Sequence, residues 1–238
     1  LTNDETVRNL RLRTQRMMNL ELTECGMGGR LRYHSGLQAL VDGDYPVAIE
    51  YFEDIIANDS DSNRVASAYV MLCESLRKSN QAKEAVRRGL KGAEQNADYG
   101  ELWYFLGRAA LEADMRTRAE AAFQRAVKIP DNQTPSLFRD PSIAGWQAEL
   151  GRVLALASLR EYDEAEDIMA VLYDRIPPGT QADVDEDFIH IWLQLNQPQR
   201  AWAVLEYWLK DTPDWAVHSF LETLEFVLQA QGLQTTYE

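Results

Sequence analysis

The stretch Asp98–Pro130, DYGELWYFLGRAALEADMRTRAEAAFQRAVKIP, decides the fold. Trp103, Leu106 and Gly107 are followed, after a short turn, by Ala119, Phe123 and Ala126, and Pro130 closes the stretch. Apolar residues spaced four and three apart form one stripe of an amphipathic helix, and Ala119, Phe123 and Ala126 share such a stripe. A small residue such as Gly107 lets a second, antiparallel helix approach closely. The stretch therefore predicts two helices folded against each other.

The same cadence recurs on both sides. Upstream it is carried by Gly36, Gly43, Tyr45, Ala48, Phe52 and Ile55, then by Tyr69, Leu72, Cys73, Ala82, Ala85, Gly89 and Gly92. Downstream come Tyr162, Ala165, Met169, Leu172 and Pro177, then Trp192, Pro198, Ala201, Leu205, Trp208 and Pro213. The anchoring alanines at 48, 85, 119, 165 and 201 are separated by 37, 34, 46 and 36 residues. In this spacing and in Trp103-x-x-Leu106-Gly107 the chain resembles the tetratricopeptide repeat family, whose unit is about 34 residues. The resemblance covers roughly residues 29–214. It implies an all-α, right-handed solenoid of antiparallel helix pairs with capping helices at its ends, each pair shielding its neighbour's apolar face. No strand-like alternation of comparable length competes with it.

On this basis residues 1–28 are expected to form an N-terminal helix (Val7, Leu10, Met17, Leu20) and a hinge at Gly26–Gly29. Five repeats follow at about 29–62, 66–99, 100–133, 141–179 and 182–213. The 46-residue spacing places an insert at 128–140, and residues 214–238, with Trp215, Phe220, Leu224 and Val227, form the C-terminal cap. Asp98-x-x-Glu101 reads as a capping box before Leu102. Asp140-Pro141 reads as the start of the helix carrying Trp146, and Pro46 and Pro198 fit the first turns of second helices. Gly89 and Gly92 stand where larger residues are expected, which suggests tight packing in preference to a flexible joint. The insert holds Pro130 and Pro135, with Leu137 and Phe138 able to tuck back onto neighbouring helices. Residues 8–12 (RNLRL) and the Pro135…Pro141…Trp146 segment are also similar to the repeat segment that trails the catalytic domain in some bacterial and phage family 2 glycosyltransferases. That resemblance implies an accessory role in dimerisation or acceptor positioning, with the catalytic residues in an upstream domain. A first residue that is Leu fits such a piece of a longer protein.

Composition narrows the function. The net charge of −14 repels the phosphates of duplex nucleic acid, so a nucleic-acid partner is not expected. No segment nears the ~20 apolar residues a membrane-spanning helix needs, so membrane insertion is not expected either. Two cysteines, Cys25 and Cys73, are too few for a disulfide scaffold and point to a reducing, cytoplasmic setting. Asp42-Gly43-Asp44 and Asp59-Ser60-Asp61 spell a metal-binding tripeptide, but each falls at a helix turn, where Asp is a preferred cap. His34, His190 and His218 are too scattered for a zinc site. Gly26-Met27-Gly28-Gly29 lacks the Lys-Ser/Thr of a phosphate loop. No catalytic, cofactor or metal site is therefore assigned.

What remains is the concave face lined by the first helix of each pair. The anchor alanines place Arg30, Tyr33 and His34 there in the first repeat, and Met71, Glu74, Arg77 and Lys78 in the second. The third contributes Glu101, Tyr104, Arg108 and Glu112, and the fifth Asp183, Glu186, Asp187 and His190. Residues 1–32 carry a net +2 and residues 182–238 a net −8, so a protein or peptide with a basic end fits the gradient. The clamp of Lys, Asn and Arg that holds chaperone tails in this family is not reproduced, since Tyr33, Leu37, Met71 and Glu101 occupy its positions. Trp202 and Tyr207 suggest a homodimer surface or an aromatic platform for a sugar ring.

Overall fold

The computed structural model describes residues 28–129, 143–172, 175 and 191–193. All regular elements among them are helical. They are α1 (Gly29–Val41), α2 (Tyr45–Asn58), α3 (Ser62–Lys78), α4 (Ala82–Gln95), α5 (Gly100–Glu112), α6 (Arg116–Lys128), α7 (Ala148–Leu159) and α8 (Tyr162–Leu172), with a π-type turn at Ile143–Gln147 before α7. The chain divides into two compact units, residues 1–144 and 145–238. The first contains α1 to α6 and the second α7 and α8.

In the first and third pairs a small residue on one helix meets a large side chain on the other. A Cβ added to Gly36 of α1 would lie 2.9 Å from the Phe52 ring of α2, and one added to Gly107 of α5 would lie 2.8 Å from the Phe123 ring of α6. In the second pair Cys73 takes this place, its thiol donating to the Ala85 carbonyl at 3.5 Å. Gly89 and Gly92 are packing glycines as expected: added Cβ atoms would meet Cys73 Sγ at 3.0 Å and the Tyr69 ring at 2.7 Å. The rings of Phe52 and Phe123 and the anchors Ala48, Ala85, Ala119 and Ala165 have no exposed surface. Fully burying an aromatic side chain of this size contributes about 1.5–3 kcal/mol.

One turn, used four times, folds each second helix back onto its first. Five residues before each anchoring alanine the backbone enters the left-handed region, at Gly43 (φ 80°), Asn80 (61°), Asp114 (57°) and Arg160 (66°). The next residue then donates its N–H to a carbonyl five positions back: Asp44 to Ala39, Gln81 to Leu76, Met115 to Ala110 and Glu161 to Leu156, at 2.8–3.0 Å. This closes the first helix with a Schellman-type bond. The second helix then starts in register with its anchoring alanine.

Two expectations need correction. Helix α5 has Tyr99 at its N-cap, one position after the Asp98 expected there. Tyr99 is buried and its hydroxyl lies 3.0 Å from Ser67 Oγ. Trp146 belongs to the π-type turn, where Gly145 is non-helical (φ −98°, ψ −122°), and regular helix begins at Ala148. Gly29 packs closely, an added Cβ falling 1.8 Å from Asp59 Oδ2, and the segment the expected hinge would connect lies outside the described residues. Pro46 sits in the first turn of α2 as expected. The N-terminal helix, the remainder of the insert and of the fifth repeat, the C-terminal cap, Cys25, Pro198, Trp202, Tyr207, Trp208 and His218 lie outside the described residues. Trp192 is buried.

Within the first unit, α3 packs beside α1 and α5, while α2 and α4 bridge from one pair to the next through α3 and α5. The first helices thus form a row, the one on which the candidate inner-face residues were placed. Eleven consecutive residues of α3, Ala66 to Leu76, are buried. Such a helix is polar-poor on every side through its middle and meets solvent only near its ends.

Candidate binding face

Both Asp-x-Asp tripeptides are helix caps. Asp44 accepts from the Val47 N–H at 3.4 Å, and Asp61 accepts from the Asn63 and Arg64 N–H groups at 3.0 and 3.2 Å. Asp59 receives Arg64 Nε at 2.6 Å and the Asp61 N–H at 2.9 Å, and the Arg64 hydrogen bond holds its carboxyl below the usual range. Their oxygens are committed to backbone and guanidinium donors. Cys73 is equally uninviting for chemistry, since burial, with Glu74 nearby, pushes its thiol up to about 12.

The inner row sorts into a closed floor and an open margin. Tyr33, Met71, Glu74 and Tyr104 are each at most 9% exposed. Tyr33 stands edge-on to Phe52 with ring centroids 5.9 Å apart, and its hydroxyl is buried beside Ser67. Burial and neighbouring Tyr99 raise the Tyr33 phenol well above its ordinary range. Tyr104 stands edge-on to Phe123 at 5.9 Å and to Phe105 at 5.2 Å. These rings pack between helices, so the floor of the row has the character of a core. His34 and Glu101 are half-buried, and Arg30 is exposed at the start of α1.

The open margin lies at the C-terminal ends of α3 and α5. Arg77 grips Glu74 with two hydrogen bonds of 2.8 Å, from Nε and Nη2, and reaches across with Nη1 to Glu112 of α5. Burial alone would raise the Glu74 carboxyl. The Arg77 hydrogen bonds and the charges of Arg77, Arg108 and Lys78 outweigh it, and the net shift is downward. Lys78 Nζ stands 3.9 Å from Glu74 and its side chain is 42% exposed. Arg108 lies over the rings of Tyr104 and Phe105, its Cζ 5.8 and 5.9 Å from their centroids. Charge-assisted bidentate contacts of the Arg77 type are the strong hydrogen bonds of a surface. Arg77 is therefore a clasp between successive pairs, a role its sequence position did not disclose.

The structure brings Met71, Glu74, Arg77, Lys78, Tyr104, Arg108 and Glu112 into one neighbourhood. Arg30, Tyr33 and His34 stand on α1, beside α3 in the same row. Asp183, Glu186, Asp187 and His190 lie outside the described residues. Ser67 and Tyr99 belong to the row's floor and were not singled out in the sequence.

No protein-family model and no curated protein matches the sequence. Solved structures do resemble the fold. A tetratricopeptide repeat protein from Parabacteroides merdae superposes with a TM-score of 0.68 at 13% identity, over 96% of this chain and 83% of that one. YrrB, described as a TPR protein with an unusual peptide-binding site, gives 0.59 at 18% identity, over 91% of this chain and 98% of its own. A thermophilic TPR protein of Thermus thermophilus gives 0.55 at 18% identity, over 87% and 100%.

Proposed function

We propose, from the tetratricopeptide-repeat fold that this chain has, that it is a non-catalytic scaffold whose inner row of first helices binds an extended segment of a protein or peptide. The observation that carries this reading is the margin at the ends of α3 and α5. There Arg77, Lys78, Arg108 and Glu112 gather on one edge above a floor of buried rings. The packed floor holds the charged rim in place, and a charged rim gives a bound peptide its direction. YrrB, with its peptide-binding site, supports the reading by analogy of fold. The net −8 of residues 182–238 favours a partner with a basic end.

Steric blocking tests the proposal. Peptides selected by display on the full chain are measured against two variants in a Cys25→Ser background, Lys78→Cys on the inner margin and Lys91→Cys on α4, each capped with a bulky maleimide. Capping at 78 should abolish binding and capping at 91 should leave it within twofold. The reverse pattern puts the binding surface on the second helices and overturns the proposal.

A further inference from the structure

The ion pairs at the margin leave one arginine out. Arg108 has Glu112 one helical turn ahead of it on α5, the spacing at which Arg and Glu ordinarily pair. Arg77 has taken that carboxylate from across the row, together with Glu74. Arg108 is left with no ion pair among the described residues. Its guanidinium rests over the Tyr104 and Phe105 rings, and those rings are themselves fixed against each other at 85°. With Glu101 two turns back along α5, the three cations (Arg77, Lys78, Arg108) and three anions (Glu74, Glu101, Glu112) balance, so it is the pairing that singles out Arg108.

We infer that Arg108 is the receptor for one acidic side chain, Glu or Asp, of the bound peptide. The inference rests on the peptide-binding role proposed above and names the chemistry of its partner. A guanidinium held beside the Tyr104 and Phe105 rings is positioned by them, and its planar N–H fork matches a carboxylate with two parallel hydrogen bonds. That positioning also removes much of the entropy that a freely rotating arginine loses on binding. The acid must be isolated. Glu101 stands two turns back along α5 and Glu112 one turn on, so a run of acidic residues would meet repulsion on both sides of Arg108. Lys78, half-exposed and held only loosely by Glu74, adds a second cation without a fixed geometry. This site differs from the chaperone-tail clamp, whose positions hold Tyr33, Leu37, Met71 and Glu101.

The test uses the display-selected peptides, synthesised with acetylated and amidated ends, and the full-length chain. The selected set should carry a single Glu or Asp at one position with non-acidic neighbours. Replacing that Glu by Gln should weaken binding to the native chain at least tenfold and to Arg108→Gln less than twofold. Arg108→Lys should fall between the two, because it keeps the charge and loses the fork. Circular dichroism of both variants should match the native chain. Peptides that bind the row with no acidic preference, or whose Glu→Gln change costs the same on both chains, overturn the inference and leave the scaffold role standing. Binding that requires a free C-terminal carboxylate also overturns it. Failure of any peptide to be blocked by capping at position 78 removes the scaffold role, and this inference with it.

Discussion

The seam inside each helix pair and the margin between pairs are built by different physics. At the seam, Gly107 admits the Phe123 ring at a distance no side chain could share, and Gly36 does the same for Phe52. Shape decides there, and a methyl group is felt because interiors are close-packed. At the margin, Arg77 joins Glu74 and Glu112 by hydrogen bonds that tolerate small displacements. Charge pairing decides there, and Arg108 is left outside the ion pairs among the described residues. The seam explains why the repeat folds, and the margin explains what the repeat could hold.

Breaking the seam should cost most. Phe123→Ala is expected to lower stability to urea by about 3–5 kcal/mol, the usual range for emptying a fully buried aromatic site. A loss below about 1 kcal/mol in the denaturation midpoint analysis would mean that α5 and α6 do not depend on this ring.

Cutting the clasp should cost less and leave a pH signature. Arg77→Met keeps the apolar stem and is expected to destabilise by about 1.5–3 kcal/mol, the value of hydrogen bonds to charged groups. Glu74 has a carboxyl held below the ordinary 4.5, so its contribution is present above that pH and is lost as the pH falls through the lower, folded-state value. The native chain should therefore lose stability below about pH 4.5 more steeply than Arg77→Met. Equal slopes in the two acid titrations would show that the clasp does not act through Glu74.

The smallest effect sharpens the comparison at the turns. Arg160 adopts the left-handed conformation that Gly43 adopts at the same place in the first pair. Arg160→Gly should raise the thermal midpoint, with a gain of up to about 1 kcal/mol, because glycine takes that conformation without the Cβ penalty. An unchanged or lower midpoint would mean that the Arg160 side chain contributes more than its backbone strain costs.

The seam was legible in the sequence because it is periodic. The small residues Gly36, Cys73 and Gly107 stand twelve positions before Ala48, Ala85 and Ala119, and that spacing alone predicts paired helices. The turn residues Gly43, Asn80 and Asp114, all tolerant of the left-handed region, carried a signal at the same period that only the structure brings out. The margin was legible in membership and not in pairing. Arg77 reads as a free groove cation until Glu112, 35 positions away, is brought beside it. Arg108 reads as the natural partner of Glu112 until that carboxylate is taken. Helix starts were the weakest point, as at α5, where Tyr99 holds the cap position expected of Asp98. The residues behind the glycosyltransferase-like resemblance, 8–12 and 135–146, lie almost wholly outside the described residues, and none of the structures compared above bears on it.

Hydrogen exchange on the full chain, with and without a saturating display-selected peptide, tests the central claim most directly. Slowed exchange should concentrate at the solvent-facing ends of α1, α3 and α5, with α2, α4 and α6 unchanged. Protection confined to the second helices would contradict the account, because the bound partner would then lie outside the row of first helices.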